Sequence, residues 1–173
     1  TASLEADLLV LGRVSRPVGR RLRLGSTART VLQQGSRAVL VTDKPVKTPN
    51  VVMVAFAGRQ TCWQALSLAA SLSPPSSQLI ILVLGETEAE RQARQQETAV
   101  WLDQQQRQAA FMPIPQANLL QLARVVEKEQ GDLLVLGSEL FEQTNEENPN
   151  LLADLACALL LSRPFPSPQP EAK

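Results

Sequence analysis

Asp7-Leu8-Leu9-Val10-Leu11-Gly12 is repeated without change as Asp132-Leu133-Leu134-Val135-Leu136-Gly137. A second echo trails each copy. Ala38-Val39-Leu40-Val41, with Pro45 behind it, answers to Ala158-Leu159-Leu160-Leu161, with Pro164 behind it. The copies stand too far apart for a solenoid repeat and at the spacing of a whole α/β domain. Only the last portion of such a unit precedes residue 50. The chain is therefore expected to start inside one unit and run through a complete second one.

Working outward from the repeat, both copies are near-continuous runs of Leu and Val, the pattern of strands covered on both faces. Similar runs at 38–41, 51–56, 78–84, 110–114 and 158–161 alternate with helical patterns at 26–34, 61–72, 87–108, 117–130 and 149–156. Thr87 with Glu90 makes a capping box ahead of the third helix, and Gly131 punctuates the end of the fourth. Strand alternating with helix predicts an α/β fold with a parallel, doubly wound sheet. The Gln- and Arg-rich stretch 88–108, with Trp101 and Leu102 among helix formers, reads as an exposed amphipathic helix, not as low complexity. The polar segment Thr42–Asn50, with Pro45 and Pro49, reads as a linker. The proline-rich segment 165–173 reads as a disordered tail.

Composition excludes several classes of function. The 173 residues are 44% apolar, with 17 basic and 17 acidic side chains and no net charge, so bulk electrostatics gives no reason to expect nucleic acid or an anionic membrane surface as a partner. No apolar run is long enough to span a bilayer and no charged start leads into an apolar stretch, so a cytoplasmic location is expected. Histidine and tyrosine are absent. That removes the commonest general base and metal ligand, together with every Ser-His or Cys-His nucleophile pair. Cys62 and Cys157 have no partners at metal spacing and read as packing residues, as do Trp63 and Trp101. Asp43, Lys44 and Lys47 read as solvated charge, and Glu97 and Asp103 as surface charge.

One segment has the residue types for binding. Between Gly12 and Ser26 runs a loop that follows a buried strand and opens a helix, the context in which backbone amides and a helix N-terminus hold an anion. Gly12, Gly19 and Gly25 permit close backbone approach. Ser26 can cap the helix or donate to a phosphate oxygen, and Arg13, Arg16, Arg20, Arg21 and Arg23 supply positive charge with no acidic residue between them. The alternative reading is a solvated loop pairing with glutamates of the second copy, where exposed pairs contribute little.

The Asp-Leu-Leu-Val-Leu-Gly strand, the Arg-rich loop, Leu-Gly-Ser and a helix leading to Ala-Val-Leu-Val resemble the end of a universal stress protein domain. That family's phosphate loop follows G-x2-G-x9-G-[ST]. Gly12, Gly25 and Ser26 fall on it, and Ser15 takes the second glycine position. The run from Val51 to Phe56, the helix after Cys62, the strand from Gln78 and the closing Cys157–Pro164 are also similar to the family. The resemblance implies a Rossmann-like parallel five-stranded sheet with helices on both faces, plus a partial second copy. Its units would be a partial copy at 1–45, a linker at 46–50, a complete domain at 51–164 and a tail at 165–173. It also implies ATP or AMP as ligand, with Gly12, Arg13, Ser15, Gly25 and Ser26 as the contacts.

Two departures qualify that implication. Nucleotide-binding members carry an aspartate at the end of the first strand, and Ala57 stands there. The second loop, from Gly137 onward, lacks the later Gly-Ser and carries Glu139, Glu142, Glu146 and Glu147 instead of arginines. Such a loop would repel a polyphosphate. The expected function is therefore a non-enzymatic regulatory or interaction domain whose complete copy is degenerate as a nucleotide site. Alternatives are the cytoplasmic regulatory tail of a membrane transporter or channel, and an ATP or AMP sensor using the arginine loop. No Walker-type Gly-Lys-Ser/Thr supports a kinase or hydrolase. The resemblance further implies self-association through the last strands of the two units, with Ala38–Val41 beside Ala158–Leu161 within one chain or between chains.

Overall fold

All seven apolar runs become strands of one sheet in the computed structural model of the chain, which describes residues 8–12, 26–42, 48–115, 119–147 and 155–164. In chain order the elements are β1 (Leu8–Gly12), α1 (Ser26–Gln34), β2 (Ala38–Thr42), β3 (Val51–Phe56), α2 (Gln60–Leu72) and β4 (Gln78–Gly85). They continue as α3 (Glu88–Gln104), β5 (Ala110–Pro115), α4 (Leu119–Lys128), β6 (Leu133–Gly137), α5 (Ser138–Glu147) and β7 (Ala158–Ser162).

The strand order is β1-β2-β7-β6-β3-β4-β5. From β7 to β5 every pairing is parallel, so residues 51–162 supply a five-stranded Rossmann-like sheet of the kind the resemblance implies. The whole sheet nevertheless has seven strands, not five. β1 and β2 form a parallel pair of their own, and β2 joins β7 antiparallel, with Val39 opposite Leu161, Leu40 opposite Leu160 and Val41 opposite Leu159. Both edges of β2 and both edges of β7 are thereby taken up within the chain.

Because successive strand residues point to opposite faces, each strand feeds two cores. On one face Val39, Val41, Met53, Ala55, Leu82, Leu134, Leu136, Leu159 and Leu161 pack with Leu32 of α1, Leu122 and Val126 of α4, and Leu140 and Phe141 of α5. On the other face Val52, Val54, Phe56, Ile81, Val83, Leu133, Val135 and Leu160 pack beneath Cys62, Ala65, Leu66 and Ala69 of α2 and Leu102 of α3. Trp63 meets Phe56 edge-on, with ring centroids 4.7 Å apart, and Trp101 lies 6.4 Å from Trp63. Both cysteines are buried thiols outside any disulfide.

Local chemistry sets the element ends. Thr87 accepts from the Glu90 amide while the Glu90 carboxylate accepts from the Thr87 amide, which is the capping box read from the sequence. The Asp132 carboxylate accepts from the amides of Asn50 and Val51 at 2.8 and 3.0 Å, tying the start of β6 to the start of β3. Pro113 and Pro115 lie in β5, an edge strand, where a missing N–H does not break the interior of the sheet. Gly131 acts through close packing: a Cβ there would come 2.8 Å from Met53 Sδ, and the left-handed position beyond α4 belongs to Gln130.

Two local expectations fail. Residues 138–147, read as a second phosphate loop, form helix α5. The helix expected at 149–156 is not found over Leu155–Ala156, which are non-helical, and its remaining residues lie outside the described ones. Outside them too lie Asp43, Lys44 and Lys47 of the linker and all of the tail 165–173.

The β2–β7 junction makes a test of the packing. Leu160 is 1% exposed, whereas its partner Leu40 is only half-buried. Leu160→Ala should lower stability by about 3 kcal/mol, and Leu40→Ala by less than about 1 kcal/mol, both read from urea unfolding midpoints at constant slope.

Candidate functional site

In a sheet of this order the natural binding crevice lies beyond the carboxyl ends of β3 and β6, where the winding direction reverses. β3 delivers Phe56-Ala57-Gly58 to this point and β6 delivers Leu136-Gly137-Ser138. Gly58 turns the chain from β3 into α2 with φ of 75°, a left-handed conformation that favours glycine. Ala57 stands at the end of β3, as read from the sequence, and presents no carboxylate there.

Groups of α2, β6, α5 and β7 meet at this end of the sheet. β6 passes directly into α5 at Ser138, with no intervening loop. A Cβ on Gly137 would meet Thr61 Oγ1 at 2.5 Å, the Thr61 carbonyl carbon at 2.8 Å and the Cys62 amide nitrogen at 3.0 Å. The first turn of α2 is thus pressed onto the last residue of β6. Thr61, itself buried, donates its hydroxyl to Glu139 Oε2 at 3.3 Å, and Ser162 Oγ of β7 donates to the Thr61 carbonyl at 2.8 Å. Arg59 reaches from the N-cap of α2 to Gln143 Oε1 at 3.1 Å. Glu139 lies in the first turn of α5, where helix N-termini favour negative charge. A carboxylate in that turn disfavours a second anion beside it.

The neighbouring positive charge is also engaged. Arg91 donates to the carbonyls of Gly85 and Glu86 and pairs with Glu88, while Arg94 donates to the Leu84 carbonyl. Two guanidinium groups therefore satisfy the carboxyl end of β4. Burial pushes the Cys62 thiol up from its ordinary value, against the lowering effect of the Ala57 and Arg59 amides, and Glu139 adds to the rise. A thiol in that setting is a packing group, not a nucleophile. Among the described residues no group of three or more acidic, cysteine or histidine side chains could hold a metal ion.

Of the site residues expected from the sequence, Gly12 ends β1 and Ser26 opens α1. Arg13, Ser15 and Gly25, with the other loop arginines, lie outside the described residues. Gly12 and Gly137 end identical strands in opposite surroundings. Among the described residues, a Cβ on Gly12 would meet nothing within 4 Å. Thr61, Glu139 and Ser162, which close the crevice in the complete unit, were not singled out from the sequence. Glu139 was visible there only as one of four glutamates.

No protein-family model matches the chain, and no curated protein sequence matches it. Solved structures do. A universal stress protein from Archaeoglobus fulgidus superposes with a TM-score of 0.77 at 14% identity, over 94% of this chain and 64% of that one. A functionally unknown protein of Pseudomonas aeruginosa, PA1789, gives a TM-score of 0.66 at 13% identity, over 94% and 65%. A universal stress protein in complex with cAMP gives 0.54 at 17% identity, over 68% of this chain and 99% of that one. The fold is that of the universal stress proteins. The chain spans about two thirds of the first two relatives.

The two glycines give opposite expectations. Gly137→Ala forces a methyl group onto the backbone of α2 and should cost about 2–3 kcal/mol. Gly12→Ala should stay within about 0.5 kcal/mol of the parent. Thermal or urea unfolding of the two variants side by side reads the difference.

Proposed function

We propose that this chain is a non-catalytic regulatory or interaction domain of universal stress protein type. In this reading its front portion is the end of one unit and its complete unit no longer binds nucleotide. The observation that carries the reading is the contact of Thr61 with Gly137, backed by Glu139 at the start of α5, at the place where a nucleotide would need loop amides and open space. The absence of histidine from the sequence and the buried, raised thiol of Cys62 support a role without covalent or acid–base chemistry. The match over 99% of the cAMP-bound protein by 68% of this chain supports one whole unit plus part of another.

A second reading is favoured by Gly12, which no described residue crowds. Here the Arg13–Arg23 loop of the front portion binds ATP or AMP and the complete unit acts as scaffold. Regulation would then require the ligand to favour one conformational or association state over another. Either reading is compatible with a soluble cytoplasmic protein or with a cytoplasmic domain of a membrane transporter or channel. No helix among the described residues is long and apolar enough to cross a membrane, so such an anchor would come from elsewhere. Association between chains would use surfaces other than β2 and β7, whose edges are already paired.

Calorimetric titration with ATP, ADP, AMP and cAMP, with and without Mg²⁺, separates these readings. The leading one predicts no saturable heat at millimolar ligand. Micromolar binding that Arg20→Ala with Arg21→Ala abolishes would establish the sensor reading instead. Micromolar binding untouched by that double change would contradict both.

A further inference from the structure

The turn after α3 carries glutamine where glycine is the usual residue. Gln106 takes the left-handed conformation, with φ of 54°, and its amide donates to the Asp103 carbonyl while the Arg107 amide donates to the Leu102 carbonyl, both at 3.0 Å. This closure sets the direction in which Arg107 leaves the helix. Arg107 Nη2 donates to Ser73 Oγ at 2.9 Å, at the end of α2, and Ser73, itself buried, donates to the Ala69 carbonyl at 2.6 Å. Arg107 Nε is buried without a hydrogen-bond partner, and among the described residues no carboxylate pairs with the guanidinium. A guanidinium serving only to cap α2 would donate to the last carbonyls of that helix. Arg107 donates to none of them.

Arg107 lines a cleft of about 1130 Å³ that also touches Asn50 and Asp132, at the amino ends of β3 and β6. Ligand clefts run to roughly 1,000 Å³, so this one is large enough to hold a small molecule. Its floor is the sheet face on which α2 packs, continued sideways through Leu133, Leu160, Leu40 and Leu8, and its wall is the last turn of α2 at Ala70 and Leu72. Leu72 is 46% exposed, and Leu8 and Leu40 are half-buried. From β3 to β1 the floor crosses four strand spacings, about 19 Å, which suits an extended chain better than a compact ring. The other charged group on the cleft, Asp132, already accepts from the Asn50 and Val51 amides through Oδ2.

From this juxtaposition of an apolar trough with a cation that lacks a counter-ion, we infer that the cleft binds a free fatty acid. Its carboxylate sits on Arg107, where a charge-assisted bond replaces the missing partner, and its acyl chain runs along Leu133, Leu160, Leu40 and Leu8. An anion without an apolar body would leave the trough unfilled. An apolar molecule without an anion would leave the buried guanidinium unpaired. The site lies at the opposite end of the sheet from the contact of Thr61 with Gly137, so it is independent of whether nucleotide binds there.

The test is calorimetric titration of the delipidated chain with decanoate, decanol and decylammonium, each below its critical micelle concentration. Decanoate should bind saturably, one per chain, and about 10-fold or more tighter than decanol. Arg107→Gln should remove that difference, weakening decanoate about 10-fold and leaving decanol unchanged. Ala70→Trp, which fills the trough beside α2, should abolish binding of both; if that variant does not fold, the Arg107→Gln comparison decides alone. Absence of saturable decanoate binding would overturn the proposal, as would equal affinity for decanoate and decanol or an affinity unaltered in Arg107→Gln. Tighter binding of decylammonium would assign the charge recognition to Asp132 and overturn it too. So would sedimentation as a dimer that Leu72→Glu dissociates, which gives the cleft to a second copy, or capture by phosphatidylglycerol vesicles in place of monomeric decanoate, which gives it to a membrane.

Discussion

The antiparallel pairing of β2 with β7 is the constraint on which the rest of the arrangement depends. Each follows one copy of the repeated hexapeptide, and each is apolar on both faces, as neither an edge nor a half-exposed strand should be. Joined, Leu40 and Leu160 continue one core while Val39, Val41, Leu159 and Leu161 continue the other. A fragment of two strands and a helix, too small to bury its own apolar surface, thereby becomes part of a seven-stranded sheet. Without that junction β1, α1 and β2 would have no partner for their faces.

The same junction explains how one hexapeptide comes to have two environments. Burial is a property of neighbours, not of the residues alone. Val135 is enclosed because β3 and α2 flank β6, and Val10 stands exposed because, among the described residues, β1 has only β2 beside it. Gly137 is held against Thr61, whereas no described residue crowds Gly12. The contacts at the end of β6 support the proposal that residues 51–162 serve without nucleotide.

Much of the fold was legible because it rests on periodicity and punctuation. All seven strands were marked by short apolar runs, and four helices by their spacing and caps, Thr87–Glu90 among them. Helix α5 was not. Ser138 followed by Glu139 is a helix start in its own right, but Gly137-Ser138 also fits a phosphate-loop template, and that reading took precedence. The site was less legible than the fold. Ala57 could be placed from its position after β3. The lock formed by Thr61, Glu139 and Ser162 joins three elements distant in sequence, and no local pattern marks such a contact. Gly131 carries the same lesson, since the neighbour that requires it, Met53, belongs to another strand of the sheet.

The central claim is that the front portion and the complete unit fold as one body through β2 and β7. Native-state amide exchange across the chain tests it most directly. The account predicts that the amides of Val39–Val41 share the protection and denaturant dependence of Leu159–Leu161, opening in a single cooperative event. Exchange of Val39–Val41 at unprotected rates while Leu159–Leu161 stay protected would contradict it.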